Sequence, residues 1–338
     1  MVSSPDTLLM QKALDAAWAY QVLTFPNPAV GAVVSNDAGE ILGIGAHQKA
    51  GTAHAEVLAL KAAYIKLSGD TTLNNIEDAS FIHDYLYTHH NHLLSDLTIH
   101  VTLEPCNHYG KTPPCSKLIH TLKLKRVVIG SYDESADAKG GGAFLQSSGC
   151  DVRYGCLKEA CDRLLFPFTQ QMKKEPFVFF KLGLSKNGVA TGGIITSEAS
   201  RTMVHRLRDC CDLLVIGGNT VRIDRPTLDA RLCQGKAPNI LIYSHDNAFD
   251  ITIPLFNVPN REVLIASSLE HIHEYKMVMA EGGQGMLNAL SSQIQWYLIF
   301  QSPHEKEGTA ISLPQGLTLA YSQRVGDDTM SWYYKNVR

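Results

Sequence analysis

Hydrophobic positions along this chain switch repeatedly between helical and strand-like spacing. Ser4-Pro5-Asp6 reads as a helix start, with proline tolerated at the first position, and predicts a helix to about Tyr20. The apolar run at 29–35 reads as a buried strand, and 41–46 as its hairpin partner across a turn near Asp37-Ala38-Gly39. Helical spacing returns over 54–67 and 115–122, with strands at 97–103 and 126–130. A glycine- and serine-rich stretch at 140–149 leads to an edge strand at 150–154. Such alternation predicts a sheet with helices packed on its faces. The segment 68–95 interrupts it: polar and longer than an ordinary loop, it reads as a solvated surface insertion with a helix at 80–87. Its His89-His90-Asn91-His92 run offers metal ligands, but a solvated face is the favoured reading.

Beyond a helix and linker over 157–175, a second alternation begins at Pro176. Strands are expected at 177–184, 212–217, 239–243, 262–266, 277–280 and 293–301, with helices at 197–208 and 220–223 and a closing hairpin of 317–322 and 331–334. A chain of 338 residues exceeds one average core. The expected organisation is one domain over 1–155, carrying the 68–95 insertion, a linker over 156–175 and a second domain over 176–338.

Composition removes several classes of function. With 45% hydrophobic and 19% charged residues and a formal net charge of -3, the chain reads as a soluble globular protein without the basic excess of a nucleic-acid binder. The N-terminal residues show no signal peptide, and no apolar run reaches the length of a membrane span, so a cytoplasmic location without membrane contact is expected. Cys150, Cys156, Cys161, Cys210, Cys211 and Cys233 have no ligand spacing and read as buried free thiols.

The remaining two cysteines change the picture. Cys106 and Cys115 flank an eight-residue spacer, and His54-Ala55-Glu56 opens the helix at 54–67. Two thiolates and one imidazole make three zinc ligands with an open fourth position, and a carboxylate stands by to move protons. That set suits hydrolytic deamination of a pyrimidine, with Glu56 as general base and then general acid. A closed structural zinc site, with His108 or Glu56 as fourth ligand, is the competing reading; a structural zinc protein acting through interactions is another.

Pro26-Asn27-Pro28-Ala29-Val30-Gly31, His47-Gln48-Lys49-Ala50-Gly51, His54-Ala55-Glu56-Val57 and the segment from Glu104 to Cys115 together resemble the deaminase half of the bifunctional riboflavin-biosynthesis deaminase–reductases. The resemblance covers nearly all of 5–155 outside the insertion. It implies a cytidine-deaminase-like three-layer αβα domain and a phosphorylated diaminopyrimidinone ribosylamine substrate. It also implies that Asn27, His47, His108, Lys111 and Asp133 line the site. Lys111 and His108 suit a phosphate, and Asn27 offers a donor and an acceptor to a ring or ribose edge. One departure follows Asp133, where the family's Asp-Pro reads Asp133-Glu134-Ser135.

In the second half, strand ends run into glycine and then helix at Gly217-Gly218-Asn219-Thr220 and at Glu281-Gly282-Gly283-Gln284-Gly285. Such junctions bring bare backbone N–H groups toward a phosphate, although glycines at strand ends are more often plain turns. With Lys181 to Gly188 they resemble the reductase half of the same family, which implies a dihydrofolate-reductase-like α/β domain, NADPH, and reduction of a ribosyl to a ribityl group. By motif, Lys181, Ser197, Arg208, Asp224, Arg231 and Glu281 would meet the substrate, with Arg208 and Arg231 on its phosphate. Thr196, Gly217, Thr220 and Gly283 would meet the cofactor. Two departures stand out: Ser-Leu-Asp-Gly reads Ser185-Lys186-Asn187-Gly188, and Trp-Ile-Thr reads Ile194-Ile195-Thr196. A deaminase with a scaffolding C-terminal domain is therefore the alternative. The expected partner is a small phosphorylated pyrimidine, and a homo-oligomer is expected.

Overall fold

Ser4 caps the first helix, α1 (Pro5–Trp18), by accepting the Thr7 backbone N–H at 3.3 Å. In this computed structural model, which describes residues 4–110, 113–135 and 139–335, the chain divides into two units, Met1–Phe168 and Thr169–Arg338. The first unit continues with β1 (Gly31–Ser35), β2 (Ile41–Ala46), α2 (Ala55–Ser68), α3 (Ala79–His89), β3 (Thr98–Leu103), α4 (Cys115–Thr121), β4 (Arg126–Ser131), α5 (Gly141–Ser147) and β5 (Asp151–Tyr154), and α6 (Lys158–Met172) follows. Its sheet runs β2-β1-β3-β4-β5, with β1 antiparallel to β2 and β3, and β3, β4 and β5 parallel.

Close backbone approach sets the layers. A Cβ at Gly31 would lie 1.9 Å from the Ala13 carbonyl oxygen of α1, and one at Gly45 would lie 2.3 Å from the Ala55 carbonyl oxygen of α2. Gly31 pairs with Ala46 and Ala32 with Gly45. Successive strand residues point to opposite faces, so α1 and α2 cover opposite faces of the sheet. This is the expected three-layer αβα arrangement.

The insertion needs correction. In the 89–92 run His89 and His92 are exposed and His90 half-exposed, but His83 on α3 is buried. Leu73, Ile82, Leu86 and Leu94, however, are all 0% exposed and belong to the core on the α2 face of the sheet. Ile82 and Leu86 stand one helical turn apart on α3, a pair masked by the polar residues around it. Asp70 locks α3 to α2 by accepting the Tyr64 hydroxyl at 3.1 Å and the Tyr85 hydroxyl at 2.6 Å. The glycine-rich 140–149 likewise contains a helix, α5. Within α6, Leu165 is 4% exposed and joins that same core.

The second unit contains β6 (Phe177–Leu184), α7 (Glu198–Cys210), β7 (Leu213–Gly217), α8 (Gly218–Asp224), β8 (Asn239–Tyr243), β9 (Val263–Ala266), β10 (Met277–Glu281), α9 (Gln284–Ala289), β11 (Trp296–Gln301), β12 (Leu317–Val325) and β13 (Asp328–Lys335). Its eight strands are ordered β12-β13-β11-β6-β10-β7-β8-β9, parallel from β11 to β9 and closed by the antiparallel β13 and β12. From β6 the chain crosses to β7 on one side, and from β10 to β11 on the other. The carboxyl ends of the neighbours β6 and β10 therefore form a switch point, the usual ligand position in an open α/β sheet.

The eight cysteines are free thiols. Of the six without ligand spacing, Cys161 and Cys211 are buried as expected; Cys150, Cys156, Cys210 and Cys233 are only half-buried. Among the described residues, no helix is long and apolar enough to cross a membrane. A core role for the insertion is testable: Leu86→Ala should cost about 2–5 kcal/mol in denaturant unfolding, whereas Tyr87→Ala, at an exposed position, should cost under about 0.5 kcal/mol. Equal small effects would restore the solvated-loop picture.

Candidate active sites

The first unit gathers His54, Cys106 and Cys115 from three elements. His54 occupies the N-cap of α2 without using its side chain to cap, which leaves the ring to turn aside. Cys106 lies in the loop after β3, and Cys115 opens α4. His54 Nδ1 lies 3.6 Å from Cys106 Sγ and 3.4 Å from Cys115 Sγ. The three donor atoms fall within 4.8 Å of one another, and this is the one such group among the described residues. Imidazole plus two thiolates is a zinc donor set, and a cluster this tight fits one ion. The Cys115 backbone N–H also points at Cys106 Sγ, at 3.4 Å.

Burial shapes the charges. Glu56 lies in the first turn of α2 at 4% exposure, and burial pushes its carboxyl up to about 7. A hydrogen bond from Cys115, with His54 behind it, draws the Cys106 thiol down to about 4. The same sharing, with burial, pushes Cys115 up. Removing a thiol proton is therefore easiest at Cys106.

A cavity of about 530 Å³ opens over this group. Asn27, His47, His108 and Asp133 all line it, as do His54 and Cys106 of the donor group and Glu56. Lys111 lies outside the described residues. His47 Nδ1 is 3.1 Å from the Ala53 carbonyl, an acceptor, so this nitrogen carries the proton and Nε2 accepts Asn27 Nδ2–H at 3.1 Å. Burial pushes the His47 pKa down, which keeps the ring neutral and fixes the Asn27 amide.

Sequence reasoning passed over Glu104, Thr52, Ser135 and Phe168, which also line the cavity. Glu104 is the informative one. Its carboxylate is buried and accepts the Asp133 N–H at 3.2 Å and the Gly142 N–H at 2.9 Å. The residue just before the zinc-ligand loop thus holds the Asp133 loop and the start of α5. Its place before Pro105-Cys106 was visible in the sequence, but its backbone partners were not.

In the second unit, Glu281 ends β10 in register with Lys181 on β6. Glu281 pairs with Lys181 at 3.2 Å and with Arg208 of α7 at 2.9 Å. Although burial opposes it, Arg208 and then Lys181 hold this carboxylate down at about 2. Arg208 also donates to the Asp229 carbonyl at 3.3 Å, and Arg231 pairs with the Asp229 carboxylate at 2.6 Å. Asp224 is the exposed last residue of α8. Ser197 caps α7, accepting the Ser200 N–H at 3.3 Å, while its own N–H donates to Asp328 at 2.7 Å.

The glycine junctions also converge. Cβ atoms built at Gly217 and Gly282 would lie 4.0 Å and 3.9 Å from Thr220 Oγ1, so that hydroxyl stands between the ends of β7 and β10. A Cβ at Gly283 would meet nothing within 4 Å, which leaves bare backbone compatible with a dinucleotide phosphate. Thr196 lies against β6, its Cγ2 3.5 Å from a Cβ built at Gly183. Ile194, at the family's tryptophan position, is 69% exposed. Asn187 has a structural explanation: its Oδ1 accepts Ser185 Oγ–H at 2.7 Å and the Lys306 N–H at 3.1 Å, while Nδ2 donates to the Lys306 carbonyl at 2.8 Å. A carboxylate could not make that last bond.

These two units define a zinc-binding, cytidine-deaminase-like domain followed by a reductase-type α/β domain. Residues 3–131 match the family described as "Cytidine and deoxycytidylate deaminase zinc-binding region", and residues 182–323 match the "RibD C-terminal domain". The Riboflavin biosynthesis protein RibD of Aquifex aeolicus (strain VF5) is 32% identical over 279 residues, covering 80% of this chain and 70% of the relative. The RibD of Synechocystis sp. is 35% identical over 230 residues, 66% of this chain and only 55% of that protein. A solved diaminohydroxyphosphoribosylaminopyrimidine deaminase/5-amino-6-(5-phosphoribosylamino)uracil reductase from Thermotoga maritima superposes with a TM-score of 0.64 at 25% identity, over 98% of this chain and 99% of that one. The chain belongs to the RibD family of riboflavin biosynthesis proteins.

The zinc site makes a direct prediction. Cys115→Ser and His54→Ala should each lower zinc per chain, measured by atomic emission after dialysis, whereas Cys161→Ser should leave it unchanged. Equal zinc in all three would rule out this ligand set.

Proposed function

We propose that this chain performs two successive steps of riboflavin synthesis. The first hydrolyses an amino group from a diaminopyrimidinone ribosylamine 5'-phosphate, giving the aminouracil and ammonia. The second uses NADPH to reduce the ribosyl group to ribityl. The observation that carries the reading is the pairing, on one chain of this family, of the His54–Cys106–Cys115 group beside buried Glu56 with the Lys181–Glu281–Arg208 group at a sheet switch point.

His54, Cys106 and Cys115 would hold a zinc ion, which would supply Lewis acidity to activate water near neutral pH. The protein's own groups do the rest. Glu56, raised to about 7, takes and returns a proton at its carboxylate near neutral pH, first from water and then to the leaving amine. His47 stays neutral and holds the Asn27 amide toward the cavity that accepts the pyrimidine. Asp133, held by Glu104 through its backbone, offers a carboxylate to an exocyclic amine.

In the second unit, NADPH would supply hydride to the sugar's C1 carbon. Gly217, Thr220 and Gly283 are suited to its phosphates and Thr196 to its outer wall. Lys181, Arg208 and Glu281 form a polar floor where β10 ends beside β6, and alignment of C1 with the nicotinamide matters most there. Arg231 and Asp224 extend the substrate side.

Zinc-loaded protein given the diaminopyrimidinone substrate should release ammonia without NADPH, and should oxidise NADPH only after deamination. Glu56→Gln should keep its zinc and lose about 10²–10⁴-fold in ammonia release. Ammonia without NADPH oxidation would remove the reductase half and leave a deaminase with a scaffolding domain. No ammonia at all would remove the deaminase claim.

A further inference from the structure

The loop 226–234, which carries Asp229 and Arg231, is held from the body of the second unit by an arginine with no role in the reading above. Arg261, two residues before β9, donates through Nη1 to the Leu228 carbonyl at 2.7 Å. Its Nη2 donates to the carbonyls of Thr227 at 2.8 Å and Leu255 at 2.5 Å. On either side, the Pro226 carbonyl accepts the Leu255 N–H at 3.0 Å, and the Asp229 carbonyl accepts Arg208 at 3.3 Å. Four successive carbonyls, from Pro226 to Asp229, are thus each engaged. Leu228 sits between them at φ 53°, a left-handed conformation that is an outlier for a bulky residue and persists only when neighbours over-determine it.

On its side-chain side, the loop is ordered by Asp229. Its carboxylate pairs with Arg231 at 2.6 Å and lies 3.8 Å from His205 Nδ1. That nitrogen accepts the Leu232 N–H at 3.4 Å, and burial with Arg208 behind it pulls His205 down to about 4, so the ring is neutral and adds no charge. Arg261 makes no ion pair among the described residues, and its Nε is sealed from water without a partner. Burial accordingly draws its pKa down to about 10. Retaining a guanidinium under such conditions costs stability, which a planar fork reaching three carbonyls offsets and a lysine's point charge cannot. Of the cations here, Lys181 and Arg208 share Glu281, Arg231 pairs with Asp229, and Arg261 adds a charge with no ion-pair partner among the described residues. An excess of cations suits an anionic group.

We propose that Arg261 is a positioning residue of the reductase site: by fixing the carbonyls of 227 and 228 it aims Arg231, steadied by Asp229, at the phosphate end of the substrate. This rests on the reductase reading. Arg261 acts through the loop and touches no reacting atom.

The test uses the full chain with Arg261→Lys and Arg261→Gln. Hydrogen exchange of the loop amides should quicken in both variants. KM for the phosphorylated aminouracil should rise roughly tenfold or more, with kcat changed by less than about threefold, the split expected when uniform binding is lost. KM for the dephosphorylated aminouracil should stay as in the wild type. Arg261→Lys keeps the charge and most of the volume, and unfolding midpoints taken alongside separate local loosening from misfolding. Unchanged loop exchange, or equal KM changes for both substrates, would overturn the proposal. Absence of NADPH oxidation by the wild type would instead overturn the reductase reading, and loop exchange would still decide whether Arg261 is the clamp.

Discussion

The first site depends on α2 lying against the sheet with no side chains between. Cβ atoms at Gly43 and Gly45 of β2 would fall 2.1 Å and 2.3 Å from carbonyl oxygens of α2, so only glycine admits the helix this closely. That approach sets the first turn of α2 beside the end of β2. His54 and Glu56 arrive there on one element, and His47, immediately after β2, arrives on the other. A shift of an ångström in α2 would carry His54 Nδ1 away from both thiols, and distance errors of that size are enough to lose catalysis. Backbone contact between β2 and α2 is what brings His54 to the two thiols.

A second layer of order is polar and local. Glu104, two residues before Cys106, ties the Asp133 loop and the start of α5 to the end of β3, and His47 fixes Asn27 through a neutral ring. In the reductase unit the same economy appears: Glu281 gathers Lys181 and Arg208, and Asp229 gathers Arg231. Glu104, Glu281 and Asp229 each use a carboxylate to orient neighbouring groups, whereas His47 does so with a neutral ring. Ser197 belongs to this supporting order too, since its hydroxyl caps α7.

Much of this was legible in the residues. Periodicity located the strands from Phe177 to Leu184 and from Asn239 to Tyr243 at their observed limits, because buried parallel strands write continuous apolar runs. The clustering of His54, Cys106 and Cys115 was legible because a zinc donor set demands particular atoms at few positions. The insertion was misread where average polarity hid Ile82 and Leu86, a pair whose significance appears only once α3 has a surface to cover. Asn187 looked like decay of a motif, yet its amide serves a loop more than a hundred residues away in sequence, a contact no local pattern announces. The roles of Glu104 and Arg261 stayed hidden for the same reason: their partners are backbone atoms, which carry no sequence signature.

Phe168 has a consequence for how this protein comes into being. It lines the deaminase cavity, and three residues earlier Leu165 fills the core beneath the sheet. The last strand of that sheet ends at Tyr154, so a chain emerging from the ribosome completes its sheet before it completes its pocket. The part of α6 up to Phe168 therefore belongs with the first unit. A chain cut at the end of the sheet would lose Leu165 from the core and Phe168 from the cavity wall together.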